Sequence, residues 1–186
     1  MPHIHTKPGQ HDLTVSAYIV RQVDGEWQCL VHMHKTLGKL LQAGGHVELD
    51  ETPWQALVRE LREETGYDIS SVHIFQPNDI SFASSECVSH PVPLTVNTHM
   101  VGENHFHTDL AYAFEVSNKA AVRPGAGESE DIRWLSLAEL KRAKQNREIV
   151  PDVCRSYEII VNKCVPLYRR VPAQSFSLDH PRALPL

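Results

Sequence analysis

Residues 44–67 read Gly44-Gly45-His46-Val47-Glu48-Leu49-Asp50-Glu51-Thr52-Pro53-Trp54-Gln55-Ala56-Leu57-Val58-Arg59-Glu60-Leu61-Arg62-Glu63-Glu64-Thr65-Gly66-Tyr67. The second half of this run carries the clearest helix signal in the chain. Thr52 is a good N-cap, Pro53 suits the first turn, Gln55 completes a capping box with Thr52, and Gly66 stands where a left-handed C-cap belongs. The spacing therefore predicts a helix over residues 53–65. Trp54, Leu57, Val58 and Leu61 form an apolar stripe that packs on a sheet, and Glu60, Glu63 and Glu64 lie outside it. At separations of three and four residues their Cβ atoms lie about 5–6 Å apart, so three carboxylates converge. Uncompensated, such a cluster repels itself and takes up protons. A divalent cation removes the conflict and gains hard oxygen ligands; Mg²⁺ also keeps several waters, so it can hold a phosphate and a water together. Taken by itself, an E-x-x-E-E run is more often a solvated acidic face with intrahelical pairs such as Arg59 to Glu63.

Working outward, Leu13, Val15, Ala17 and Ile19 alternate with Thr14, Ser16 and Tyr18, a period-2 strand. Asp24-Gly25 then signals a hairpin into a second strand from Trp27 to about His32. Residues 34–45, rich in Lys and Gly, read as a loop. Further strands are expected over residues 72–75, 94–100 and 106–116, and a short helix over 137–143. A last helix starts at Pro151, with Val153, Tyr157, Ile160 and Cys164 on one face, and stops at Pro166. The segment through Gln10, with Pro2, Pro8 and Gly9, reads as a flexible arm, and the tail beyond Arg170, with Pro172, Pro181 and Pro185, as mobile. No repeat of 20–50 residues is visible.

The 186 residues carry 18 Lys+Arg against 23 Asp+Glu, a net charge of −5, with 41% hydrophobic residues. This is ordinary globular composition, enough for one domain with appendages. No apolar run approaches the ~18 residues of a membrane helix, and the polar, His-rich start has no apolar stretch behind it, so neither a membrane span nor a secretory signal is expected. The negative balance argues against a nucleic-acid polymer as partner. Cys29, Cys87, Cys154 and Cys164 are scattered without zinc-ribbon spacing, as reduced cytoplasmic thiols would be.

Gly45, five residues, Glu51, seven residues, then Arg59-Glu60-Leu61-Arg62-Glu63-Glu64-Thr65-Gly66-Tyr67 resembles the Nudix box of the Nudix hydrolase family. Seven fixed positions and two bulky ones arise by chance in fewer than about one chain in a million. The resemblance implies an α/β (α+β) fold, a Nudix-type α/β/α sandwich with a mixed sheet and a catalytic loop-helix, over residues 11–143. It leaves residues 1–10 as an arm, 144–170 as a C-terminal helical extension and 171–186 as a mobile tail. It implies metal-dependent hydrolysis of a diphosphate linkage in a nucleoside diphosphate derivative, with Mg²⁺ as cofactor and Mn²⁺ as a substitute. It places Glu60, Glu63, Arg59 and Glu51 in the catalytic apparatus, the Glu51–Arg59 pair more as a structural clamp than as chemistry. Gly44, through its carbonyl, Glu60, Glu63 and Glu64 are implied metal ligands. Members commonly add a carboxylate from a later loop before a strand bearing Trp; Glu128, six residues ahead of Trp134, fits, with Glu130 its rival. Ala43 stands where many members have proline and Tyr67 where an aliphatic residue is usual; neither removes a ligand.

Three His-x-His pairs stand out: His3 and His5, His32 and His34, His105 and His107. In a strand His105, His107 and Asp109 share a face, either lining the cleft or holding a metal. His46, His105, His107 and Lys39 are candidate substrate contacts, as is Lys35; Trp27, Phe75 and Phe82 could stack a base or belong to the core. The expected partner is a small nucleotide, and a homodimer is left open. Competing readings are a catalytically silent nucleotide sensor, which usually has a broken box, and a prenyl diphosphate isomerase, which would want a cysteine in recognisable context.

Overall fold

The first strand, β1 (His11–Val23), is 13 residues long, and that length lets it feed two antiparallel ladders on one side and a parallel ladder on the other. The structure is a computed structural model that describes residues 4, 5, 7–78, 87–102, 104–117, 124, 125 and 127–179. The N-terminal half of β1 pairs with β4 (Ala43–His46) and its C-terminal half with β2 (Glu26–His34). β2 in turn pairs with β3 (Lys39–Leu41) and β8 (Ile132–Ser136). On the other side of β1 runs β7 (Phe106–Val116), parallel to it and flanked by β6 (Thr95–Met100) and β5 (Val72–Gln76), which ends against β9 (Arg169–Pro172). Among the described residues the result is one mixed sheet of nine strands.

Alternation along β1 assigns its two faces. Val15, Ala17 and Ile19 point into a core shared with Trp54, Leu57 and Leu61 of α1 (Pro53–Thr65), while Tyr18 and Val20 point into a second core on the opposite face. That second core is closed by α2 (Leu137–Gln145) and α3 (Pro151–Ile159). The expected α/β/α sandwich is therefore the fold. α1 has the predicted bounds and caps: Thr52 accepts from the Gln55 backbone N–H, Gln55 answers to the Thr52 N–H, and Gly66 takes φ 72°. Tyr67, despite its hydroxyl, is buried in the α1-side core.

Four sequence expectations are corrected. Residues 34–45 are not all loop, because β3 and β4 form there; three- and four-residue strands are too short to show a period, and two glycines mask the second. The helix from Pro151 is not an extension outside the domain. Val153, Cys154, Tyr157, Ile160 and Cys164 are buried in the second core, and the Tyr157 hydroxyl donates to the Leu30 carbonyl and accepts from the Ile19 N–H at 3.3 Å. That helix does not run uniformly to Pro166: its α-helical part ends at Ile159, and Ile160–Cys164 continues as one π-helical stretch before a last turn, Val165–Leu167. Residues 171–179 are not loose either. β9 joins the sheet through Ile74↔Val171, Phe176 packs its ring 5.9 Å from that of Trp54, and the Leu178 carbonyl accepts from Gln55. Their prolines suppressed the strand signal, yet an edge strand tolerates proline. Residues 180–186 lie outside the described residues, as do His3 and Phe82. The arm is tethered where described: the Ile4 and His5 N–H groups donate to the Asp12 carboxylate.

If Phe176 contributes to the α1-side core, Phe176→Ala lowers stability by about 1–2 kcal/mol, less than a fully buried phenylalanine because its ring is only partly covered. Urea unfolding followed by tryptophan fluorescence measures this; an unchanged midpoint would mean that the tail does not cover Trp54.

Candidate active site

Arg59 lies on α1 beside the Glu51 loop, and its guanidinium uses every donor it has. Nε and Nη2 form a fork to Glu51 at 2.7 and 2.9 Å. Nη1 reaches Glu60 at 2.8 Å and Glu63 at 3.1 Å, and the second Nη2 proton meets the His46 carbonyl at 3.1 Å. The bidentate clamp expected between Glu51 and Arg59 is present, and it extends to two further carboxylates and to β4. Arg59 holds Glu51 below the ordinary carboxylate range, chiefly through these hydrogen bonds.

Glu60 and Glu64 are buried at 2% and 8% exposure, whereas Glu63 is open to solvent. Glu64 accepts a 2.7 Å hydrogen bond from the Gly44 N–H. Arg59 Nη1 thus holds Glu60 and Glu63 on one nitrogen, while Glu64 is held by Gly44. Burial pushes the Glu64 carboxyl up to about 8; the Gly44 hydrogen bond opposes this, and the charges of Glu60, Glu128 and Glu63 add to it. Burial also raises Glu60, against the pull of Arg59. Gly44 could be no other residue: its φ is +146°, and a Cβ there would stand 2.1 Å from the Val15 carbonyl oxygen.

His32, which the sequence marked only as half of a pair, is buried on β2 with Nε2 3.9 Å from Glu64. Its Nδ1 has no hydrogen-bond partner among the described residues, and burial, with His34 nearby, lowers it to about 4, so the ring is neutral at pH 7.

The loop ahead of β8 folds back over α1. The Gly125 N–H donates to the Glu63 carbonyl at 2.7 Å, the Glu128 N–H to the Gly125 carbonyl at 3.0 Å, and the Lys35 ammonium to the Gly127 carbonyl. The Glu128 carboxylate is thereby close enough to raise both Glu60 and Glu64. Lys35 thus anchors this loop. Lys39, a candidate substrate contact by sequence, is also turned elsewhere, with its ammonium on the Arg147 carbonyl between α2 and α3. Phe75 is core, with Arg170 over its ring, and Trp27 packs against the second core.

His46, His105 and His107 gather around a residue the sequence reading passed over, Asp12. This carboxylate is fully buried, with Oδ2 3.2 Å from His105 Nε2 and 3.4 Å from His46 Nε2, and Oδ1 2.8 Å from His5 Nδ1. Burial opposes its ionisation, but the His5 and Ile4 hydrogen bonds and the His46 ring hold it well below the ordinary carboxylate range. The available signal was its phase: Asp12 precedes Thr14 and Ser16 on the polar side of a half-buried strand. Asp109, expected to join His105 and His107, instead accepts from Thr14 and Ser16 at 3.0 Å each.

A NUDIX domain profile matches residues 10–153. A hydrolase of the NUDIX family from Clostridium perfringens is 31% identical with a TM-score of 0.63, the match covering 78% of this chain and 92% of that one. A NUDIX hydrolase from Nitrosomonas europaea matches at 23% identity and TM-score 0.57, over 90% and 97% of the two chains. An Ap4A hydrolase from C. elegans shares the fold at 16% identity and TM-score 0.58, over 81% and 97%. No curated protein matches. With the filled box on α1 and this profile over most of its length, the chain belongs to the Nudix family and is a Nudix-type pyrophosphohydrolase.

Arg59→Ala removes the clamp from a half-buried pair, 26% and 18% exposed at the side chains, so it should cost about 1–3 kcal/mol, between the exposed and buried limits. Thermal or urea unfolding reads this out, and an unchanged midpoint would make the clamp ornamental.

In metal-free buffer, native Glu64 keeps its proton up to about pH 8 whereas the unfolded chain releases it near 4.5, so the native state binds more protons between these values. Its contribution to stability is complete below pH 4.5 and falls as pH rises towards 8. The stability difference between wild type and Glu64→Gln, from urea unfolding in EDTA, should shift against the wild type between pH 5 and 8; a difference flat with pH would contradict the raised carboxyl.

Proposed function

We propose that the protein hydrolyses a diphosphate linkage in a nucleoside diphosphate derivative, with Mg²⁺ held by Glu60, Glu63, Glu64, the Gly44 carbonyl and Glu128. The observation that carries this reading is the pair of buried carboxylates, Glu60 and Glu64, facing a glycine whose backbone is pressed against β1, with Glu128 folded close enough to be felt by both. Hard oxygen donors with no soft ligand among them suit Mg²⁺, and Mn²⁺ as a substitute. When bound, the ion supplies charge neutralisation for phosphate oxygens and lowers the pKa of a coordinated water.

The chain's own residues set the rest. Arg59 ties Glu51, Glu60 and Glu63 into one hydrogen-bonded array. Water adds to one phosphorus, the bridging P–O bond breaks, and the proton passes to a carboxylate. Glu128 either completes the ligand set or orients that water. The box reads the diphosphate and leaves the group beyond it undetermined, so nucleoside triphosphates, ADP-ribose-like compounds, sugar nucleotides and dinucleoside polyphosphates are all within this class. Every acidic box position is filled, which favours an enzyme over a silent nucleotide sensor. Four free thiols, three of them buried, are in keeping with a cytoplasmic setting.

The test is a phosphate-release screen over those compounds with Mg²⁺, then with Mn²⁺, then in excess EDTA after dialysis, repeated with Glu128→Gln and Glu130→Gln. Activity should collapse on chelation, and Glu128→Gln should lower kcat by ~10-fold or more with a smaller effect on KM. Full turnover in EDTA would remove the metal, and a loss confined to Glu130→Gln would move the role to that residue.

A further inference from the structure

The cluster around Asp12 is chemically unlike the glutamate site. β1 and β7 run parallel with Asp12↔His107 and Thr14↔Asp109 in register, β4 places His46 opposite Thr14, and β6 places His99 opposite His107. Ala43 lies in the α1-side core, so two-residue alternation puts His46 on the other face, where Asp12 and His107 also stand. These side chains therefore meet on the face of the sheet turned away from α1. Among the described residues, one ligand atom each from Asp12, His105 and His107 lie within 4.8 Å of one another.

We propose that Asp12, His105 and His107 form a second metal centre, separate from the glutamate site, that takes a borderline divalent transition ion of the Zn²⁺ class. Two imidazoles and one carboxylate prefer such an ion over Mg²⁺. With bonds of about 2.0–2.1 Å, two ligands of a tetrahedral ion stand about 3.3 Å apart. The His105 Nε2 to Asp12 Oδ2 separation is 3.2 Å, close to that edge, and His107 brings a ligand atom within 4.8 Å of one from each of the other two. Asp12 is oriented from behind, its Oδ1 accepting from the His5 backbone at 2.8 Å and its Oδ2 from the Ile4 N–H at 3.0 Å, as ligating carboxylates commonly are. His46, 3.4 Å from the same Oδ2, is the neighbour placed to orient or join the set. His107 is only partly buried, so water or an anionic oxygen can reach the cluster from its side. The ion ties β1 to β7 and meets β4 through His46, whose carbonyl is held on the opposite side by Arg59.

The full-length protein is stripped with chelator and dialysed against Zn²⁺ in excess Mg²⁺, so that hard-oxygen positions are filled with Mg²⁺. Bound zinc is counted by elemental analysis and its ligands read by X-ray absorption. About one zinc per chain with imidazole scattering is expected. His105→Gln/His107→Gln, with its fold checked by circular dichroism, should weaken zinc binding at least ~10-fold; His107→Gln alone, at a partly exposed position, serves if the double variant does not fold. No retained zinc, zinc without imidazole ligands, undiminished binding in these variants, or loss only in His3→Ala/His5→Ala would each overturn the proposal. Glu60→Gln/Glu64→Gln should leave zinc binding intact. Loss of zinc in that variant, with the histidine variants unaffected, would return the ion to the glutamate site.

Discussion

One guanidinium makes the rest of the site affordable. Glu51 in the loop and Glu60 and Glu63 in the second half of α1 crowd together, and Glu64 and Glu128 lie close by, a density of negative charge that would otherwise splay the loop or protonate it. Arg59 answers three of these carboxylates and one β4 carbonyl with its five N–H groups. Lysine could not substitute, having three donors on a point charge and no planar fork. Because Arg59 touches the Glu51 loop, the helix and β4 together, the position of Gly44 against Glu64 depends on it.

Strand β4 is the hinge between two chemistries. Its Gly44 lies flat enough on β1 for the N–H to reach Glu64, and two residues on His46 sends its ring towards Asp12 while its carbonyl faces Arg59. On the α1 side the donors are oxygens; on the other side they are imidazoles around one buried carboxylate. The strand is four residues long, so any shift in its pairing with β1 is felt on both faces at once.

The helix was legible because its signals are local. Capping box, proline at the start, glycine at the end and a 3.6-residue stripe are all properties of neighbouring residues, and α1 begins and ends where they place it. The strands with clear alternation were legible for the same reason. β3, β4 and β9 were not, being short, rich in glycine or proline, and formed only because a partner strand completes their hydrogen bonds. Lys35 and Lys39 looked free in sequence, since nothing local says that carbonyls some ninety and a hundred residues away will claim them.

The sequence by itself determined the family, the helix with its three glutamates and the Glu51–Arg59 pair, since box residues lie within 23 positions of one another and their spacing is set by a single loop and helix. Glu128 entered only through the family resemblance, and its place in the site is a proposal supported by its charge acting on Glu60 and Glu64. Only the tertiary structure decided that Glu60 and Glu64 are buried while Glu63 is not, that His32 stands beside Glu64, and that Asp12 collects histidines from three other segments. Those facts depend on which strands lie side by side. The parallel pairing of β1 with β7 joins residues more than ninety positions apart, a choice made by the packing of two cores and invisible to any local pattern.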